Sequence, residues 1–138
     1  MSKYSDFQTS FTDGVALSAA LTEMGFPHET HAEAQTLYDY CGNARPQKAH
    51  IIIRRHNTGI DASNDIGFVR GADGKYQAII SEYDESVKFN ASWLGELKQT
   101  YTEQRQMIMA RNKGYVFQGR EVVQTEKGKT VRLMFAAR

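Results

Sequence analysis

"SNDIGFVRGADGKYQAIISEYD", residues 63–84, reads as a β-hairpin, and that reading decides the fold. Ile66 and Phe68 share one face with Tyr76, Ala78 and Ile80 across a turn supplied by Ala72, Asp73 and Gly74. Gly67 lies on the opposite face, where a plain strand would carry a side chain. A glycine inside a strand marks either a bulge or a close approach by another backbone, subunit or ligand. Just upstream, Ala49–Arg55 reads as a further strand. Ala49, Ile51 and Ile53 would face one way, and His50, Ile52 and Arg54 the other.

The flanks supply helices. Thr12 and Asp13 offer an N-cap, Leu17, Ala20, Leu21 and Met24 form an apolar stripe over residues 14–24, and Gly25 can end it in the left-handed conformation. Asn90 caps a second helix whose stripe runs through Leu94, Leu97, Tyr101 and Ile108, with Trp93 beside it and Gly114 at its end. Phe7, Thr9 and Phe11 alternate as a first strand, and residues 28–40 read as extended before the turn chemistry of "CGNARPQK". Residues 115–125 and 130–136 form a closing hairpin in which Val131, Leu133 and Phe135 alternate and Gly119 marks a bulge. Hairpin-linked strands pair antiparallel, and two helices with one stripe each cover one face most economically. The expected fold is therefore α+β. It is a two-layer sandwich with a mainly antiparallel sheet of about six or seven strands and two helices on one face, in a single domain over residues 1–138.

Composition narrows the function classes. With 41% hydrophobic and 24% charged residues, the chain falls outside the disordered and membrane classes. No apolar run approaches the length of a membrane span, and "MSKYSDFQTSF" lacks a signal-peptide core, so the expected location is cytoplasmic with no membrane partner. One cysteine, Cys41, excludes an internal disulfide framework, and no acid or base stands beside it in sequence to make a reactive thiolate. Net charge is only +1, yet it is unevenly spread. Residues 98–138 hold nine basic groups against three acidic ones, whereas residues 1–50 hold three basic against six acidic. Such asymmetry steers anionic partners, and it keeps nucleic-acid binding through the basic C-terminal third as an alternative.

Catalytic and cofactor signatures are missing. There is no dinucleotide-binding glycine motif, phosphate-binding loop, nucleophile elbow or paired CxxC. His28 and His31 would point to opposite faces of an extended segment, so with Cys41 they do not form a metal site. Asp61, Asn64 and Asp65 resemble a fragment of a calcium loop without its closing glutamate, and loop caps explain them better. No metal and no cofactor is expected. The sheet face opposite the helices would display His50, Ile52, Arg54, Gly67, Val69, Ile79, Ser81 and Tyr83, which is more apolar than an ordinary solvent face. A further layer of the protein, an oligomer interface and a ligand surface each explain it. An arginine and an aromatic on an open sheet suit single-stranded RNA, although the paired aromatics of that mode are missing.

The segments "YDYCGNARPQKAHIIIRR", "SNDIGFVRGADGKYQAIISEYD", "LKQTYTEQR" and "GYVFQGREVVQTEKGKTVRLMFAAR" occur in the order seen in domain-of-unknown-function family 1257, which the chain resembles over nearly its whole length. That family includes the hypothetical chloroplast open reading frame 35 proteins. The resemblance implies a small soluble protein of cyanobacterial, plastid, bacterial or phage origin, in the cytoplasm or plastid stroma. Family genes often neighbour AAA-type ATPases and ferredoxin-like proteins, which implies an accessory role. No catalytic residue carries over. The matching positions are Gly42, Asn43 and Arg45 in the first turn and Asp65, Ile66, Gly67 and Phe68 in the hairpin. The expected function is a non-enzymatic adaptor or assembly protein that binds a protein partner, such as an AAA-type ATPase, or a second copy of itself. The docking surface would be the Gly67 face together with the Asn43–Lys48 turn. Candidate binding residues are Asn43, Arg45, His50, Arg54, Asp65, Gly67 and Tyr83. A small-ligand protein or enzyme using His50, Arg45 and Asp65 is a further alternative.

Overall fold

The structure is a computed structural model that describes residues 3–137, so Arg138, counted above in the basic excess, lies outside the described residues. Asp13 caps the first helix, α1 (Gly14–Glu23), by accepting the N–H groups of Val15 and Ala16 at 3.0 and 3.1 Å. The helix ends where Gly25 takes φ +86°, with its N–H on the Thr22 carbonyl and the Phe26 N–H on the Leu21 carbonyl. Asn90 starts the long helix α3 (Ala91–Asn112) by accepting the Trp93 N–H at 3.0 Å. Between them lies a short helix, α2 (Glu82–Val87), which the sequence pattern does not announce. The Ser81 hydroxyl accepts the Asp84 N–H and turns the chain out of the sheet. Tyr83, expected on the strand face, therefore sits on α2.

Seven strands form, and pairing is antiparallel throughout, but they make two sheets instead of one. β1 (Tyr4–Gln8), β2 (Glu29–Tyr38), β3 (Ala44–Ile53), β4 (Ile66–Arg70) and β5 (Tyr76–Ser81) are ordered β1-β5-β4-β3-β2. β6 (Tyr115–Thr125) and β7 (Gly128–Ala137) pair only with each other, with the expected irregularity between Phe117 and Gly119. The hairpin of residues 63–84 has the expected faces, with Phe68 opposite Ala78 and Gly67 opposite Ile79. The turn after β2 is shorter than the sequence suggests, and Arg45, Pro46 and Lys48 belong to β3. Pro46 falls where the register slips between the Thr36–Lys48 and Tyr38–Ala44 pairs, a place where a strand tolerates a missing N–H. Phe11 lies beyond β1, buried, its ring 4.7 Å from that of Tyr101.

α1 and α3 pack on one face of the five-stranded sheet, as expected. Leu17, Leu21, Trp93 and Leu97 meet Ile51, Ile53, Ile66, Phe68 and Ile80 in the main core. The other face holds a second, smaller cluster of Leu37, Ala49, Ile52 and Ile79. Ala49 departs from the expected alternation and joins Ile52, because the β2–β3 ladder is irregular between Thr30 and Gln35. Gly67 is buried beneath this cluster. A Cβ there would lie 2.5 Å from the Ala49 Cβ and 3.2 Å from both Leu37 methyls. The close approach that the missing side chain permits is thus made by the chain's own β2–β3 hairpin.

Gly67→Ala should therefore destabilise the protein by about 1–3 kcal/mol through overpacking, and Ala49→Gly in the same chain should recover part of that loss. Denaturant midpoints of the two variants provide the check.

Candidate functional site

The tripeptide Ser63-Asn64-Asp65, just before β4, ties together chain segments that are far apart in sequence. Asp65 is 1% exposed. One of its carboxylate oxygens accepts the Arg55 N–H at 2.8 Å, and the other accepts the Tyr38 N–H and Arg54 Nη1, also at 2.8 Å. Its own N–H donates to the Tyr38 carbonyl, and its carbonyl accepts the Tyr4 hydroxyl at 2.7 Å. Asn64 accepts the Tyr40 N–H and donates to the Ser81 hydroxyl, both at 2.9 Å. Asp84, fully buried, takes the Ser63 hydroxyl at 2.8 Å, the Ser81 hydroxyl at 2.7 Å and the Asn64 N–H at 3.1 Å. Asn64 and Asp65 are therefore not the local loop caps expected of them but long-range acceptors.

Arg54 continues the network outward. Its Nε and Nη2 donate to the two Glu29 oxygens at 3.0 Å, its Nη1 also reaches the Thr36 carbonyl, and Glu29 pairs with His31 at 2.8 Å. The Arg54 bond holds the Glu29 carboxyl below its ordinary range, and the Glu29 bond in turn strengthens the hold of Arg54 on its proton. Burial, then the nearby Asp65 charge, pushes the Tyr4 hydroxyl well above the usual tyrosine value. The Arg45 guanidinium lies 5.5 Å from the Tyr4 ring centroid.

The seven candidate residues thus divide. Arg54 and Asp65 meet directly, and Tyr4 links them to Arg45. Asn43 closes the β2–β3 turn by donating its N–H to Asp39 at 2.9 Å. Gly67 is packed over. His50 leaves the expected face and lines a cleft beside α1, where its Nδ1 accepts the Arg70 N–H at 3.0 Å. Tyr83 is exposed on α2, its hydroxyl 3.3 Å from the Asp61 carbonyl. His28 and His31 go separate ways, His28 to the Ser18 hydroxyl and the Phe26 carbonyl, His31 to Glu29. Both oxygens of Asp65 are already engaged by the protein, so the assembled residues make a latch.

A surface the candidate residues did not include is the β6–β7 ribbon. Met109, Tyr115, Val116, Phe117, Val122 and Met134, all on the ribbon or the end of α3, are at least 40% exposed. No β6 or β7 side chain belongs to either core cluster. The ribbon leans on α3, where Arg120 donates to Glu103 at 2.9 and 3.1 Å, and a groove of about 350 Å³ separates it from the last turns of that helix. The alternating Val131, Leu133 and Phe135 were legible in sequence, but they signal an apolar stripe without saying what covers it.

The family model described as "Protein of unknown function (DUF1257)" matches residues 20–134, and the chain belongs to that family. No curated protein and no solved structure matches the chain. Among the described residues no helix is long and apolar enough to cross a membrane.

The latch has a pH signature. The folded-state pKa of Glu29 lies below its free value of 4.5, so the stability it contributes is present above pH 4.5 and is lost as pH falls through the folded value. Urea midpoints should fall more steeply in that acid window for the native chain than for Glu29→Gln. Parallel slopes would remove Glu29 from the latch.

Proposed function

We propose that this DUF1257 chain is a non-enzymatic assembly module that associates with further copies of itself through the β6–β7 ribbon. The supporting observation is that ribbon: two long strands with exposed apolar side chains and no share in either core cluster. A two-stranded hairpin is marginal alone in water, and a contiguous exposed apolar surface on a folded protein marks an interaction site.

Exposed aromatic side chains argue for the occupant. The C-terminal third is basic, and residues 1–50 carry six acidic groups against three basic ones. In that acidic half Tyr38 and Tyr40 are exposed at the end of the molecule where the latch lies. The apolar ribbon of one copy would seat on those exposed rings of the next, which Arg54 and Arg55 flank. Such head-to-tail contacts generate rings or open filaments. An AAA-type ATPase presenting an acidic face with apolar anchors is the other polypeptide that suits the same ribbon. Nucleic acid suits it less, because Arg120 is paired with Glu103, and Arg132 lies 3.9 Å from Glu121.

Light scattering after size exclusion, at micromolar to sub-millimolar concentration, should give masses above that of one chain. Phe117→Glu combined with Val122→Glu should return the monomer with the five-stranded body still folded, since neither residue is in a core cluster. A native chain that stays monomeric across that range would overturn self-association.

A further inference from the structure

A cleft of about 690 Å³ opens at the start of α1, on the far side of the sheet from the latch's tyrosines, and its walls come from α1, β2, β3, β4, β5 and α3. Tyr76, at the start of β5, lines it. This residue is only 7% exposed, yet its hydroxyl has no hydrogen-bond partner among the described residues. The ring is buried while the hydroxyl keeps its access to the cleft, where its donor and acceptor capacity is uncommitted. The hydroxyl lies against Gly14, the first residue of α1, where a Cβ would come within 2.5 Å of it. Gly14 has no positive φ, so glycine is required there for the space it leaves at the helix mouth.

Two cations face the same cleft. Arg70 ends β4 and Arg105 projects from α3, and neither guanidinium has an ion pair or hydrogen bond among the described residues. His50 adds a neutral donor. Its Nδ1 accepts the Arg70 backbone N–H, which leaves the ring proton on Nε2. Of the nearby carboxylates, Glu29, behind His31, is held by Arg54, while Asp13 lines the cleft itself and caps α1 through one oxygen, which accepts the Val15 and Ala16 N–H groups. The Gly14 N–H has no acceptor among the described residues, and the positive end of α1 points to the same place.

We propose that this cleft binds a small organic anion, with the Tyr76 hydroxyl and the Arg70 and Arg105 guanidiniums holding its carboxylate or phosphate group. Planar guanidiniums suit either oxyanion, and the volume is that of a metabolite site and well beyond a bare ion. The inference is independent of the ribbon.

Amide NMR titration at constant ionic strength, with succinate in one arm and glycerol phosphate in the other, tests it. At least one arm should give saturable shifts at Gly14 and Val15, and the arm that does so identifies the oxyanion. Tyr76→Phe, which keeps the ring, and Arg105→Gln, at an exposed position, should each weaken binding roughly tenfold. Phe117→Glu on the ribbon should leave it unchanged. Absence of saturation in both arms, or native affinity in both cleft variants, would overturn the proposal.

Discussion

Three aspartates are buried almost completely; Asp39 is served by its own turn, and the chain has to deliver donors to Asp65 and Asp84 from farther away. An ionised group removed from water without partners is too costly for a fold of this size to carry. The donors come from four places: the end of β2, the residues just after β3, the loop before β4 and the end of β5. Satisfying them fixes how the β2–β3 hairpin folds over the sheet, and that in turn brings Leu37 and Ala49 down onto Gly67. The glycine and the polar latch are two consequences of one arrangement.

Much of the fold was legible because its signals are local. Asp13 and Asn90 as caps, Gly25 and Gly114 as stops and the period-2 runs of β4 and β5 each act within a few residues, so spacing reveals them. The latch was not legible, because several of its donors are backbone N–H groups of residues 20 or more positions away, and a backbone amide has no sequence signature. Asp84 was missed for the same reason, sitting in what reads as a polar strand end. The irregular β2–β3 ladder moved Ala49 and His50 away from the faces that strict alternation assigns. The division into two sheets was hidden because an apolar stripe reads the same whether it meets a core or solvent.

The molecule thus has an over-determined body and a lightly held arm. In the body, helices cover one sheet face, the β2–β3 hairpin covers part of the other, and the latch locks one end. The arm has only α3 and the Arg120–Glu103 pair to lean on. This contrast connects the fold to the proposed assembly, since an arm without a core of its own gains most from a partner surface.

Native-state hydrogen exchange, at concentrations where the chain is monomeric, tests this contrast most directly. The Tyr38, Tyr40, Arg55 and Asn64 amides, all donors to latch side chains, should exchange only through global unfolding, while β6 and β7 amides should open at a far smaller free energy. Ribbon amides as slow as those of the latch would contradict the account, because the arm would then be part of the same cooperative core.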